Sequence, residues 1–231
     1  LGHRKIVPYG IVNDLHAGVN GFVAMPDTNI DMDLKFTTAE SDFKTFLSLI
    51  PALYSKDFSQ LTASGSMKLD GYLKGRYNAA SMPGFGALLS IDNGRFKYPS
   101  LPAEVKDVFI NMKVDNPDGV PDHTILNLSR FHASLSGDVI DAKLALSSPV
   151  SDPDMDLFIK GKLNLSGIKS FYPLKQGTEL SGVINADATI RGRLSAIKNQ
   201  QTDNLNAGGT IDMADVRYSG TQVARPVHVR S

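Results

Sequence analysis

Between Leu61 and Tyr77 the chain reads LTASGSMKLDGYLKGRY, and it alternates without a break. Leu61, Ala63, Gly65, Met67, Leu69, Gly71, Leu73, Gly75 and Tyr77 form one set, apolar or glycine. Thr62, Ser64, Ser66, Lys68, Asp70, Tyr72, Lys74 and Arg76 form the other, polar apart from the ring of Tyr72. A period of two is the pattern of a strand with one dry and one wet face. Most globular strands have roughly 3–10 residues; at ~3.3 Å per residue this one would span roughly 56 Å. A strand of that length belongs in a sheet, and something must cover or use its apolar side.

The pattern occurs twice. Leu180–Leu194, LSGVINADATIRGRL, puts Leu180, Gly182, Ile184, Ala186, Ala188, Ile190, Gly192 and Leu194 on one face, and polar residues with Val183 on the other. Ser181-Gly182, Asp187 and Gly192-Arg193 match Ser64-Gly65, Asp70 and Gly75-Arg76 at one offset, 117 residues. Flanking blocks match with small gaps. Leu15-His16-Ala17 and Gly21 parallel Phe131-His132-Ala133 and Gly137, and Asp31-Met32-Asp33-Leu34 parallels Asp154-Met155-Asp156-Leu157. Ser41–Phe46 parallels Ser166–Phe171, and Ile91-Asp92 with Tyr98 parallels Ile211-Asp212 with Tyr218. The order of blocks is kept, so the chain reads as two tandem units, approximately 14–125 and 130–231, within one elongated β domain.

Candidate strands in the first unit are 15–23, 29–37, 61–77, 85–98 with a turn at Asp92-Asn93-Gly94, and 105–115. A helix is expected over 41–54: Ser41 is a suitable N-cap, Phe43, Phe46, Leu47 and Ile50 make an i, i+3, i+4, i+7 stripe, and Pro51 kinks or ends it. The second unit should carry a counterpart. DNPDGVPDH, 115–123, reads as a loop between the units. One short helix cannot cover so many apolar strand faces. Either a sheet curls on itself into a groove or half-barrel, or two sheets pack as a β-sandwich. Gly65, Gly71, Gly75, Gly182 and Gly192 on the dry side favour the curled antiparallel sheet, because glycine permits kinks and close approach.

Composition narrows the function classes. Lys plus Arg and Asp plus Glu balance at 24 each, which removes the basic excess of a nucleic-acid binder and any long-range attraction to anionic lipid surfaces. With no cysteine there is no disulfide, thiolate site or cysteine nucleophile. No run of 18 apolar residues exists. The chain opens on Leu1, shows no signal peptide, and is expected to be a piece of a longer polypeptide whose anchor lies outside it. His16 and His132 hold matching repeat positions and lack the nearby ligands a metal needs. Asp31/Asp33 and Asp154/Asp156 each share a strand face, and a solvated face accounts for them better than Ca²⁺. No G-x-S-x-G, H-E-x-x-H or P-loop occurs, so no enzyme, cofactor or metal is expected. The absence of tryptophan and the scattered tyrosines count against a glycan site.

Three stretches, FKTFLSLIPALYSKDFSQLTASGSMKLDGYLKGRY, MPGFGALLSIDNGRFKYPSLPAEVKDVFINMKVDNPDG and LKQGTELSGVINADATIRGRL, resemble the AsmA-like family of Gram-negative envelope proteins, its Bacteroidetes-type members in particular. The resemblance covers roughly residues 41–119 and 150–218 and rests on degenerate strand patterns. It implies a periplasmic, inner-membrane-anchored protein related to TamB-type and bridge-like lipid transfer proteins. In such proteins a long hydrophobic β-groove moves phospholipid between membranes or maintains outer-membrane lipid, with no catalytic residues. On that reading Leu61, Ala63, Met67, Leu69, Leu73, Leu180, Ile184, Ala186, Ala188, Ile190 and Leu194 line the groove, and Phe43, Phe46, Leu47 and Ile50 form a lid or plug. The partner is phospholipid or another acyl lipid. Burying a CH₂ is worth ~0.8 kcal/mol, so a continuous apolar lining suffices without a sharp polar motif. The rival expectation is a structural or adhesive β-sandwich that binds no lipid.

Overall fold

The structure, a computed structural model, describes residues 4–6, 9–12, 15–25, 27–38, 41–42, 62–97, 102–170, 174, 177–199, 205–219 and 227–229. The long alternating stretch is a strand of 16 residues, Thr62–Tyr77. Its strands in chain order are β1 (Arg4–Ile6), β2 (Tyr9–Val12), β3 (Leu15–Ala24), β4 (Ile30–Thr38), β5 (Ser41–Asp42), β6 (Thr62–Tyr77), β7 (Gly84–Lys97), β8 (Val105–Asn116), β9 (Ile125–Leu135), β10 (Asp138–Ser147), β11 (Asp154–Asn164), β12 (Glu179–Arg193), β13 (Leu205–Ser219) and β14 (Val227–Val229). Ten of them, β3, β4 and β6 to β13, form the body of a single antiparallel sheet that does not close into a barrel. β1 and β2 run along β3, and β5 pairs with β6 beyond the end of β4. Each long strand pairs with the next along the described chain, the arrangement that short connections favour.

A single sheet excludes the sandwich, whose two inner faces would bury each other. It also cannot be flat. Neighbouring strands rotate by roughly 20–25°, so nine successive steps accumulate on the order of 200° of twist. The expected strand positions in the first unit hold to within one or two residues. Asp92-Asn93-Gly94 is no hairpin turn: β7 runs straight through it with a bulge, marked by Asn93 at φ 49° and a register shift between Ile91 and Gly94.

The tandem repeat is visible in the pairing itself. Asp31 faces Arg76 and Asp33 faces Lys74 between β4 and β6; Asp154 faces Arg193 and Asp156 faces Arg191 between β11 and β12. Thr37 faces Asp70, and Lys160 faces Asp187. Two sequence matches shift. β3 pairs with β4 as β10 pairs with β11, so the structural counterpart of β3 is β10, not the His132 strand β9. The pairs Leu69–Leu89 and Met67–Ile91 correspond to Ala186–Ile211 and Ile184–Met213, which moves the β7–β13 match by two residues. The sheet runs unbroken from one unit into the other through β8 and β9.

Ser41 is not a helix N-cap. It pairs with Met67 in β5, because strand pairing satisfies its backbone along the free length of β6. The remainder of the expected 41–54 helix, with Phe43, Phe46, Leu47 and Ile50, lies outside the described residues. Its counterpart in the second unit is a 3₁₀ helix, Leu165–Ser170. Leu194, expected at the end of a strand, instead opens a short α-helix, Leu194–Lys198, which buries Ala196. Asp152 caps that helix, accepting from the Ser195 N–H at 2.9 Å and from its hydroxyl at 2.8 Å.

Candidate functional site

The apolar sides of the ten long strands join into rows, since directly paired residues in a sheet share a face. One row crosses all ten: Val19, Phe36, Gly71, Ala87, Val114, Leu126, Leu146, Met155, Gly192 and Leu205. The next runs from Leu69 through Leu89, Met112, Leu128, Leu144, Leu157 and Ile190 to Ala207. A third runs from Met67 through Ile91, Ile110, Phe131, Ala142, Ile159 and Ala188 to Gly209. No polar side chain interrupts these rows. At ~4.8 Å per strand, the ten-strand row extends roughly 43 Å across the sheet.

This face is only partly covered. Among the described residues the buried apolar side chains are Ala63, Met67, Leu89, Ile91, Val105, Val108, Ala133, Leu165, Ala188 and Ala196, four of them alanines. Seven of these make one cluster over β6–β9. Ile168 of the 3₁₀ helix packs against that cluster, and the Ala103 N–H donates to the Ser170 carbonyl at 2.8 Å. The helix therefore reaches from the end of β11 back past β10 and β9 to the start of β8, and covers one end of the apolar face. Away from it, Met112, Leu128, Leu144, Leu157 and Ile190 are only half-buried, and Ala207 is exposed.

The residues expected to line a groove separate accordingly. Ala63, Met67 and Ala188 are closed in, Met67 at 1% exposure. Leu69, Leu73, Leu180, Ile184, Ala186 and Ile190 are half-buried on the sheet, and Leu194 is half-buried in the short helix. Leu61 lies outside the described residues. The half-open middle of the face comes from β9, β10 and β11, whose Leu128, Leu144 and Leu157 are not among the residues expected to line the groove. The signal was present in the alternation of Leu126/Leu128 and of Leu144/Leu146, in shorter runs than those of β6 and β12.

Glycine shapes the face by two routes. At Gly65 (φ +113°) and Gly182 (φ +101°) the backbone is left-handed and a bulge interrupts the pairing. Asn93 and Asp215 oppose them at φ 49° and 50°, so the same bend recurs in each unit. A Cβ on Gly65 would lie 2.6 Å from the Gly94 Cα, and one on Gly182 would lie 2.6 Å from the Val216 Cα. At Gly71 the space a Cβ would need is taken by the ring of its cross-strand partner Phe36. An aromatic ring over a strand glycine covers the backbone that the missing side chain leaves bare.

The opposite face is a solvated charge ladder. Arg76 donates to both Asp31 oxygens at 2.7 and 3.0 Å, and this holds the Asp31 carboxyl below its ordinary value. Lys74 lies 3.3 Å from Asp33, Arg191 2.9 Å from Asp156, and Lys160 2.7 Å from Asp187. The paired acids thus face cations across the strands. His132 Nδ1 lies 2.7 Å from Asp141, beside the Phe109 ring over which Arg130 sits at 4.2 Å. Among the described residues no group of three or more His, Cys, Asp or Glu is placed to hold a metal, and no helix is long and apolar enough to cross a membrane. Two clefts are present among the described residues. One of about 600 Å³ is lined by Lys97, Glu104, Lys106 and Ser134; one of about 230 Å³ surrounds Tyr72, Leu88 and Lys113.

Comparison with protein-family models, with curated proteins and with solved structures finds no match for this chain.

Proposed function

We propose that the apolar face holds the acyl chains of phospholipid, and that the protein is a non-enzymatic lipid-binding or lipid-conducting component of a Gram-negative envelope. The observation that carries this reading is the set of apolar rows crossing up to ten strands with their middle only half-buried. A monomeric soluble protein rarely leaves so large an apolar face half-open without a ligand or partner. Acyl chains fit its chemistry, because they demand a continuous apolar strip and no defined polar contact. The resemblance to AsmA-like proteins points the same way and adds a periplasmic site, an inner-membrane anchor beyond this segment, and traffic between the two membranes.

The test is uptake of a fluorescent phospholipid by the purified chain, repeated with Leu157→Asp. Leu157 is half-buried at the centre of the face, so a carboxylate there meets the lipid without entering the β6–β9 cluster. Saturable uptake that falls at least tenfold in a variant with an unchanged melting temperature supports the proposal. Equal uptake by a folded variant overturns it. Affinity should also fall with chain length, by up to about fourfold per methylene removed if each is fully buried.

A further inference from the structure

We infer that the crest of loops at one end of the strands docks on a zwitterionic phospholipid surface, with Met82, Val120 and Val150 set into it. Strand pairing brings the connections after β3, β6, β8 and β10, and the short helix after β12, to the same end of the sheet. Each carries one exposed large apolar side chain: Met25, Met82, Val120, Val150 and Ile197. Met25, Val150 and Met82, at 72%, 69% and 56%, are the most exposed large apolar side chains among the described residues. At the opposite end, residues 102–104, 136–137 and 165–170 expose no methionine, leucine, isoleucine, valine or aromatic side chain. The crest is one tied structure. Asn78 donates to Asn29 at 2.9 Å, linking the first two connections. A Cβ on Gly119 (φ +81°) would meet the Met82 carbonyl, so the second and third touch through backbone. Asp122 accepts from the Val150 and Ser151 N–H groups, and the Leu194 N–H donates to the Pro153 carbonyl at 2.8 Å. The buried Asn116 donates to the Val120 carbonyl at 2.8 Å. The tips are thus held in place before docking, which lowers the ordering cost of contact.

Spacing and charge select the occupant. Neighbouring tips stand two strands apart, ~9.6 Å, with polar residues between them. A protein partner concentrates its contact in one desolvated centre, whereas a bilayer takes isolated apolar tips one by one. Lys198 is the only Lys or Arg among residues 25–29, 78–83, 117–124, 148–153 and 194–199, against Asp27, Asp118, Asp122 and Asp152. Insertion and not charge must hold the contact, and an anionic surface is disfavoured. The sheet twists by roughly 20–25° per strand, so three neighbouring tips, not all five, meet one surface. Val114, Leu126, Leu146 and Met155 lie on the apolar row nearest the crest, at the end that the 3₁₀ helix leaves open. A bilayer at the crest therefore adjoins the apolar face. The inference does not rest on the lipid reading, since the tips reach a bilayer whatever the face carries.

The probe is a phosphatidylcholine vesicle, mixed with the intact chain and floated on a density gradient. Saturable co-flotation is expected, equal at low and high salt. It should weaken at least tenfold in a Met82→Asn, Val120→Asn, Val150→Asn triple variant whose circular dichroism is unchanged, since all three side chains are exposed. The chain has no cysteine, so Val150→Cys and Ser136→Cys can each carry one environment-sensitive fluorophore, which decides the matter even if the triple variant fails to fold. A blue shift on vesicles is expected at position 150 and not at 136, in the turn at the opposite end. Absent flotation, binding lost at high salt, or a shift at 136 instead of 150 overturns the inference. So does lost flotation in folded Leu157→Asp, because the apolar face is then the contact; failed lipid uptake with flotation intact overturns the lipid reading alone. A mass of two chains by light scattering, abolished by the triple variant, also overturns it, because the crest then meets a second copy.

Discussion

At the scale of single residues, the fold depends on positions where backbone conformation outweighs side-chain chemistry. Gly182 sits at φ +101° with the Val216 Cα where a methyl would go. Gly182→Ala should therefore cost about 1–3 kcal/mol, read from urea unfolding midpoints, through left-handed strain and displaced backbone together. Acidic residues at the loop rim matter in another way. Asp122 accepts from the Val150 and Ser151 N–H groups and the Ser151 hydroxyl, as Asp152 does from Ser195, so consecutive loops are tied together. The Ser195 backbone and hydroxyl bonds, with Arg193 nearby, hold the Asp152 carboxyl below its ordinary value of 3.8. A depressed folded pKa contributes stability above the unfolded value and loses it as pH falls through the folded one. The melting temperature should fall below about pH 4, and Asp152→Asn should melt lower at pH 7 while losing part of that acid-induced drop. Thermal melts from pH 3 to 7 decide it; an unaltered pH profile in the variant would contradict the clamp. Sequence pattern located these glycines but not their role: matched Ser-Gly pairs were legible, whereas the bulge that requires them depends on Asn93 and Asp215 across the strand.

At the scale of elements, period-two alternation placed the long strands because each has one wet face, and water enforces the pattern. Elements that lie on the sheet instead of in it were read less well. Ser41 has good capping chemistry but pairs with β6, since a strand of 16 residues has more edge than β4 alone can fill. Residues 166–171 match 41–46 in sequence, and 166–170 of them lie in the 3₁₀ helix; Gly167 and the absence of a sustained apolar stripe favour a single tight bridge over a longer helix. Leu165, 7% exposed, anchors that bridge. Leu165→Ala should cost about 2 kcal/mol, at the lower end for a buried leucine, because the site lies at the margin of the sheet. Amide exchange should quicken at Ala103, whose N–H bonds to Ser170, while that of β4 stays unchanged. Equal loss of protection through all ten strands would mean the bridge belongs to the global core.

At the scale of the whole molecule, the notable quantity is how little is buried. A sheet of ten long strands closes over one modest cluster at β6–β9 and leaves the rest of its apolar face half-open. This division was not legible in the sequence, because alternation reports which side of a strand is apolar and is silent on what lies above it. Met67 and Ile190 share the same pattern, yet Met67 is sealed in the cluster and Ile190 is half-buried. Only the three-dimensional path of the 3₁₀ bridge and the twist of the sheet separate them. A substitution at Met67 therefore reports on folding, while one at Ile190 reports on whatever occupies the face.

The most direct measurement is native mass spectrometry of the gently purified chain, with extraction and identification of what it carries, beside the Ile190→Asp variant. Added masses matching phospholipid are expected on the native chain, with their loss from the folded variant. A lipid-free spectrum that stays so after incubation with phospholipid vesicles would contradict it.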